Sequence, residues 1–218
     1  MEKLIILDTE TTGIDITDGH RVIEIGCVEV VDRIITNKEY HQYIQPDRSV
    51  GDSIRIHDIS DKFLIHKPRF AEIADEFIEF IRGQTLVIHN APFDIGFLDN
   101  EFKLAGKKLK INDICKVIDS LELSKKQRTG GRHDLDSICR RFNIDTSSRT
   151  VHGALLDSQI LAKAYLALTG GQFALFGDMD NASNSNQNIE KIQDLGGDMI
   201  IIYANEKELE LHDNYYKI

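Results

Sequence analysis

Near the start of the chain, apolar residues either run in a short block or alternate with polar ones, which predicts β-strands. The block Leu4–Leu7 predicts a buried strand. Residues 21–31 combine alternation with β-branched side chains, and residues 39–46 alternate again. We therefore expect the fold to open with an antiparallel meander.

A helical period replaces this alternation further along the chain. In residues 68–83 the apolar positions fall on one stripe that follows Pro68 and ends at Gly83. Strands followed by alternating helices and strands predict an α/β domain over residues 1–171, with a mixed sheet flanked by helices. Further helices are predicted over 93–106, 133–144 and 153–171, and short strands over 85–90 and 113–119.

The pattern changes beyond residue 171. Residues 172–176 form a short, mostly apolar peptide, and residues 177–188 are rich in Asn and Ser, which predicts a flexible linker. Residues 189–218 contain a strand-like run and a helix-like run, but they are too few to bury a core of their own. We expect one folded domain with a flexible C-terminal tail.

Composition narrows the class of protein. Apolar residues make up 41% of the chain, which is enough for a core. No apolar run reaches the roughly 18 residues of a membrane span, and the first residues lack the pattern of a signal peptide. The cysteines are odd in number and far apart, as is typical of reduced thiols: Cys27, Cys115 and Cys139. We expect a cytoplasmic protein with no membrane partner.

The net charge of −10 argues against a general nucleic-acid binder, but the charge is uneven. Residues 103–132 carry nine Lys and Arg against three Asp and Glu, whereas residues 178–218 carry three against nine. The basic segment is either a solvated face or a path for a phosphate backbone. Residues 124–134 contain two adjacent glycines, which predicts a mobile loop.

Two carboxylates, Asp8 and Glu10, follow the first strand directly. Residues two apart in a strand share a face, so both side chains project from the same side of its end. They either mark a solvated turn or surround a cation, because two buried like charges are costly alone.

Two further acids lie on apolar stripes of predicted helices. Asp94 shares a stripe with Phe97 and Leu98, although its place near the helix start also suits the helix dipole. Asp157 shares a stripe with Ile160 and Leu161, where the alternative is a satisfied buried hydrogen bond.

Four inward acids favour a shared hard cation, Mg²⁺ or Mn²⁺, and their number favours two ions. His152, on a loop before the last helix, has the ordinary pKa of a general base near neutral pH, although a surface histidine is the alternative.

The motifs "LDTETTG", "HNAPFDIGFL" and "HGALLDSQ" resemble the three motifs of the DEDDh family of 3′–5′ exonucleases. Longer stretches, including "RVIEIGCVEVV" and "RTVHGALLDSQILAKAYLALTGGQ", resemble the proofreading, or epsilon, subunits of bacterial DNA polymerase III. The resemblance runs through residues 1–172 and more loosely into the tail. It implies a ribonuclease H-like fold and a two-metal 3′–5′ exonuclease that proofreads DNA replication.

The resemblance also implies roles for individual residues. Asp8, Glu10 and Asp157 match the family's metal ligands, and Asp94 matches a fourth acid that acts partly through water. His152 matches the base that takes a proton from the attacking water. The resemblance further places His57 and Asp52 beside the terminal nucleotide, together with the metal ligands, although the loop carrying Asp52 is one residue shorter than in relatives.

Partners follow from the same resemblance. The expected partners are a single-stranded DNA 3′ end, the polymerase III catalytic (alpha) subunit, which residues 189–218 would bind, and the sliding clamp. The resemblance does not decide whether a small theta-like subunit also binds. The peptide 172–176 resembles clamp-binding peptides and alternatively folds back on the core; its expected clamp contacts are Gln172, Phe173, Leu175 and Phe176.

Three other functions compete with this one. An RNA-processing DEDDh exonuclease would use the same site. A haloacid-dehalogenase-type phosphatase also begins with a strand and two acids, but that class normally has Asp where this chain has Glu10. A non-catalytic subunit that stabilises the polymerase would not need all five motif residues.

Overall fold

The computed structural model of the chain describes residues 2–147, 149 and 151–170. Within them lie a five-stranded sheet and eight α-helices, with 3₁₀ turns at Ile16–Asp18 and Gly51–Ser53. The strands are β1 Lys3–Thr11, β2 Val22–Val31, β3 Ile34–Tyr43, β4 Thr85–Ile88 and β5 Lys116–Asp119. The helices are α1 Ile54–His57, α2 Asp61–Leu64, α3 Phe70–Ile81, α4 Ala91–Leu104, α5 Ile111–Ile114, α6 Ser120–Gln127, α7 Leu135–Arg141 and α8 Ala154–Leu168.

The sheet is mixed, as the sequence predicts. Its strand order is β3-β2-β1-β4-β5, with antiparallel pairs β1/β2 and β2/β3 and parallel pairs β1/β4 and β4/β5. The predicted opening meander and the predicted α/β class are confirmed. β1 is the central strand, so both of its faces are covered and its apolar block is buried throughout.

Alternate residues of β1 enter two different cores. Ile5 and Leu7 pack with the aromatic side chains of α3 and α4 on one face of the sheet. Leu4 and Ile6 pack on the other face against α8, through Leu161 among others. This alternation follows from the pleat of the strand, and it determines that α4 and α8 reach the end of β1 from opposite sides.

Three segments differ from the prediction. Residues 113–119 were expected to form one strand, but α5 takes up Ile111–Ile114 because the Asp113 carboxylate accepts the Lys110 backbone N–H and caps a helical turn. The predicted loop 124–134 begins inside α6, whose N-cap Asp119 accepts the N–H groups of Leu121 and Glu122. Residues 51–57, expected as a loop, are helical.

Candidate active site

The end of β1 presents Asp8 and Glu10 beside the start of α8. Both continue the strand face of Leu4 and Ile6, which is the face that α8 covers. Asp8 is partly buried and Glu10 is 9% exposed. The β1/β2 register shifts between Glu10 and Thr11, so regular pairing ends where the carboxylates need open space.

Asp94 is held in the first turn of α4, which starts just beyond the end of β4. The turn into α4 passes through Asn90 at φ 67°, and the Asp119 carboxylate accepts the N–H groups of Asn90 and Ala91. Asp94 is 3% exposed, and the Thr9 hydroxyl donates to its Oδ1 over 2.6 Å. β1 and α4 are therefore joined directly at the site.

Asp157 is placed by an unusually close contact between α8 and β2. Gly26 pairs with Asp8 across the sheet, and a Cβ at position 26 would lie 2.2 Å from backbone atoms of Ala154 and Leu155. The Ser158 hydroxyl donates to the Gly26 carbonyl over 2.8 Å. The absence of a side chain at Gly26 lets the first turn of α8, with Asp157 on it, approach Asp8.

His152 and Arg149 both contact Asp157. His152 Nδ1 lies 3.1 Å from Asp157 Oδ2, and Arg149 Nη2 lies 2.7 Å from that same oxygen and 2.7 Å from His152 Nδ1. Nδ1 cannot both donate to Asp157 and accept from Arg149, so the two contacts compete. Arg149 also pairs with Asp136 on α7.

The carboxylates raise one another's affinity for protons. Burial raises the pKa of Asp8 well above its usual value, and the charges of Asp94 and Asp157 raise it further. Burial, then the charge of Asp157, raises the pKa of Glu10 to about 8. Burial raises the pKa of Asp94 to about 7, against the hydrogen bond from Thr9.

His152 is shifted in the direction that suits a proton acceptor. Its hydrogen bond to Asp157 raises the pKa of His152 above its usual value, while burial and Arg149 act the other way. With Nδ1 held by Asp157, Nε2 is the nitrogen that can take a proton from water.

Asp8, Glu10, Arg149, His152 and Asp157 line one cleft of about 270 Å³. Asp94 is not among its lining residues, but it accepts a hydrogen bond from Thr9, which is one of them. Ligand atoms of Glu10, His152 and Asp157 lie within 4.8 Å of one another. Asp157 Oδ1 is buried against Arg149 Nε without hydrogen-bond geometry. The raised pKa values of Asp8 and Glu10, together with an Asp157 oxygen that has no hydrogen bond, fit a hard divalent cation. The cleft is also lined by Thr9, His89, Asp134, Leu135 and Asp136.

The two residues expected beside the nucleotide lie apart from this cleft. His57 is 4% exposed; its Nδ1 accepts the Ile59 N–H, and its Nε2 lies 2.9 Å from Ser53 Oγ. Burial lowers the pKa of His57, which keeps it neutral. The Asp52 side chain is 92% exposed and lies 3.5 Å from Arg55. Their roles at the substrate stay predictions.

The basic segment is divided between two places. Lys103, Lys107, Lys108 and Lys110 line a separate cavity of about 580 Å³ at the C-terminal end of α4. Lys103 lies about 13 Å along the helix axis from Asp94. Arg132 pairs over 3.0 Å with Asp134, which lines the catalytic cleft. Of the basic residues in this segment, Arg132 is therefore the one whose ion pair reaches the lining of the cleft.

Several predictions fall outside the described residues. These are the clamp peptide with its contacts Gln172, Phe173, Leu175 and Phe176, the linker 177–188 and the tail 189–218. The three cysteines are free and buried, as expected for reduced thiols. No helix among residues 2–170 that the structure describes has both the length and the apolar character to cross a membrane.

Sequence patterns did not single out two residues that the structure brings to the site. Arg149 lies three positions before His152, and Glu24 lies inside the apolar run of β2. A charged residue buried within a strand was the available signal for Glu24. For Arg149 we find none, because it lies on a loop and its contacts with α7 and α8 leave no period in the sequence.

Comparison with known proteins agrees with this geometry. The Exonuclease family (RNase_T) matches residues 5–165. DNA polymerase III subunit epsilon of Escherichia coli K12 is 47% identical over 220 residues, which cover 97% of this chain and 90% of the relative. The corresponding subunit of Buchnera aphidicola is 44% identical over 98% of this chain and 93% of its own length.

Solved exonucleases share the fold at low sequence identity. Exonuclease X in complex with 5′-overhanging duplex DNA superposes with a TM-score of 0.61 at 23% identity, over 78% of this chain and 92% of that one. The zinc-bound complex of E. coli exonuclease I with single-stranded DNA superposes with a TM-score of 0.69 at 15% sequence identity, over 83% of this chain and 43% of that one. The family match covers most of the chain, and the sequence is 47% and 44% identical to these two relatives over nearly its whole length. The chain therefore belongs to the Exonuclease (RNase_T) family and, within it, to the epsilon subunits of bacterial DNA polymerase III.

Proposed function

We propose that this exonuclease removes nucleotides one at a time from the 3′ end of single-stranded DNA and thereby proofreads replication. The observation that carries this proposal is the cleft at the end of the central strand. There, mutually repelling carboxylates on β1 and α8 line a space beside His152, and the charge of Asp94 on α4 also raises the pKa of Asp8. Such an arrangement is unfavourable without positive charge and suits phosphodiester hydrolysis with it.

The proposed metal ligands are Asp8, Glu10, Asp94 and Asp157, holding two divalent cations, Mg²⁺ or Mn²⁺. When bound, these cations supply the positive charge that stabilises the attacking and leaving oxygens of the phosphodiester. Asp94 keeps its hydrogen bond from Thr9, which orients one of its oxygens and leaves the other for a water or an ion.

The proton is handled by His152 in this proposal. Asp157 accepts from Nδ1 and fixes the ring, so Nε2 takes the proton of the attacking water. The His152 side chain is 48% exposed, so water and a strand end can both reach it. Hydrolysis then releases a nucleoside 5′-monophosphate.

Substrate contacts complete the proposal. Asp8, Glu10 and Asp157 would hold cations whose positive charge favours the terminal phosphate, and this would let a chain of net charge −10 bind a polyanion. His57 and Asp52 would contact the last nucleotide from α1 and the Gly51–Ser53 turn, which border the site without lining the cleft. The backbone bond between the His152 N–H and the Ile56 carbonyl supports a link between the two regions.

The proposed assembly is the polymerase III core in the cytoplasm. The segment 189–218 would bind the polymerase III catalytic (alpha) subunit, and residues 172–176 would bind the sliding clamp. A theta-like subunit stays open. Nucleotidyl transfer itself would be the work of the catalytic partner. The support is the identity to epsilon subunits over nearly the whole chain.

The test is release of mononucleotides from 3′-labelled DNA and RNA strands of one sequence, with Mg²⁺ or Mn²⁺. We expect metal-dependent release from DNA, reduced more than about a hundredfold in Asp8→Asn, since even outer partners of metal ligands cost up to about that factor. The control is Asp99→Asn, because Asp99 is also a partly buried aspartate but lies on α4. Its rate of nucleotide release should stay near that of the wild type. Faster digestion of RNA would instead favour the RNA-processing function, and metal-independent release would contradict the proposed ligands.

A further inference from the structure

Glu24 is a buried carboxylate that neither the motifs nor the proposed chemistry uses. It lies inside β2, is 2% exposed and pairs with Glu10 across the β1/β2 ladder. Its two oxygens have different partners. Oε2 accepts the backbone N–H of Ala154 over 3.1 Å, and Oε1 lies 2.7 Å from His41 Nε2.

Ala154 is the first residue of α8, and this helix has no side-chain cap of its own. Its N-cap residue is Gly153, which makes no side-chain hydrogen bond. The first N–H groups of a helix have no partner within the helix and are commonly satisfied by Ser, Thr, Asp or Asn at the N-cap. Here Glu24 supplies an acceptor from the neighbouring strand, where a negative charge also suits the helix dipole.

The start of α8 carries the chemistry. Asp157 lies in its first turn, and its backbone N–H donates to the Gly153 carbonyl over 2.8 Å. His152 comes immediately before Gly153. A shift of this turn along or away from β2 would therefore move both side chains relative to Glu10. Displacement of reacting groups by about 1 Å can cost about a hundredfold in rate.

We propose that Glu24 is a positioning residue of the active site, which holds the first turn of α8 against β2 and so sets the distance of Asp157 and His152 from Glu10. His41 fixes the Glu24 side chain from the far side. The inference rests on the roles proposed above for Asp157 and His152. It concerns the hydrogen bond to Ala154 rather than the charge of Glu24.

Three substitutions separate the hydrogen bond from the charge. Glu24→Ala removes both. Glu24→Asp keeps the charge but shortens the side chain, so that the carboxylate no longer reaches Ala154. Glu24→Gln removes the charge but keeps an oxygen that can accept from Ala154. The control is Glu29→Ala on the same strand, because Glu29 is also buried and ion-paired, 2.7 Å from Lys3, away from the cleft.

The measurements are kcat and KM on single-stranded DNA and Mn²⁺ affinity by calorimetry, at a temperature where circular dichroism shows each variant folded. We expect Glu24→Ala and Glu24→Asp to lower kcat about tenfold to a hundredfold and to weaken Mn²⁺ binding, with KM little changed. Glu24→Gln should have most of the wild-type kcat and Mn²⁺ affinity, and Glu29→Ala should have the wild-type values of both.

A rescue tests the same contact independently. Gly153 has an extended backbone, and a Cβ there would lie 3.9 Å from Glu24 Oε2, so a serine fits. Gly153→Ser in the Glu24→Ala background gives α8 a cap of its own and should restore kcat. The inference would be overturned if folded Glu24→Asp had the kcat and Mn²⁺ affinity of the wild type. It would also be overturned if Glu24→Gln were as impaired as Glu24→Ala. An inactive wild type would instead contradict the proposed function.

Discussion

At the residue scale, the carboxylates at the end of β1 work against the stability of the metal-free protein. Burial raises the pKa values of Asp8, Glu10 and Asp94, and the charges of neighbouring site carboxylates raise those of Asp8 and Glu10 further, so ionising them in the folded state is unfavourable. Arg149 offsets part of this cost through its contacts with Asp157. The free energy of unfolding must therefore depend on pH.

The sign of this dependence follows from Glu10. Its pKa rises from 4.5 to about 8 on folding, so the folded state binds the proton more tightly than the unfolded state. The stability contributed by the protonated form is complete below pH 4.5 and is lost as the pH rises through about 8. We expect the melting temperature of metal-free protein to fall across that range, and to fall less in Glu10→Gln.

Differential scanning fluorimetry in EDTA, repeated with Mn²⁺, measures this effect. Mn²⁺ should flatten the wild-type dependence, because a bound cation favours the ionised carboxylates. Glu29→Gln is the control, because hydrogen bonds from Lys3 and Thr36 lower the pKa of Glu29 rather than raise it. This substitution should not reduce the fall in melting temperature. A wild-type melting temperature that rises from pH 5 to pH 8 without metal would contradict this account.

Some residues of the site could be predicted because they are charged at positions where the helical pattern predicts apolar residues. Asp94 and Asp157 are acids on apolar helix stripes, and both are 3% exposed in the structure. Arg149 could not be found in that way. Its contacts with Asp157 and Asp136 are made between α8, α7 and a loop, and such tertiary contacts leave no period in the sequence.

At the element scale, the active site depends on how closely α8 approaches β2. The two meet at Gly26, where the helix backbone occupies the space that a side chain would need. With a side chain at position 26, α8 would have to lie further from β2, and Asp157 would then lie further from Asp8.

We expect Gly26→Ala to impair activity more than Gly96→Ala. At position 26 the new methyl group would meet backbone at 2.2 Å, so α8 must move, at a cost of about 1–3 kcal/mol in stability. At position 96 it would meet only the end of Ile16, at 3.1 Å, and helix propensity improves by up to about 1 kcal/mol.

Chemical denaturation and kcat/KM on single-stranded DNA give the two readouts. Gly26→Ala should lose at least tenfold in kcat/KM, while Gly96→Ala should stay within a few-fold of wild type. Equal activity of the two variants would show that the close contact does not position Asp157.

Elements with a strong period were predictable, whereas short capped ones were not. The stripe in residues 68–83 gives α3, and the block Leu4–Leu7 gives the core of β1. α6 is mostly polar and stands beside two glycines, so its sequence is typical of a loop. It is a helix because Asp119 caps its first turn and Ser120 and Ser124 are buried.

At the scale of the whole molecule, the proposed partners divide between two segments of the tail. If residues 172–176 bind the clamp and 189–218 bind the polymerase, the two functions should be separable by substitution. In each segment two apolar residues are the natural anchors: Leu175 and Phe176, or Leu209 and Leu211.

We expect Leu175→Ala with Phe176→Ala to abolish clamp binding, measured by surface plasmon resonance, without changing hydrolysis of free DNA. Leu209→Ala with Leu211→Ala is the reciprocal variant, which should keep clamp binding and weaken binding of the catalytic subunit. Loss of both interactions in both variants would contradict the division of the tail.

The order of the site's residues along the chain has a consequence during synthesis. Asp8 and Glu10 emerge early from the ribosome, but His152 lies just before α8 and Asp157 lies in α8, the last helix of the described residues. A nascent chain therefore acquires the proposed ligands and proton acceptor as a complete set only after all five strands exist. Incomplete translation products of this nuclease lack the assembled site proposed for hydrolysis.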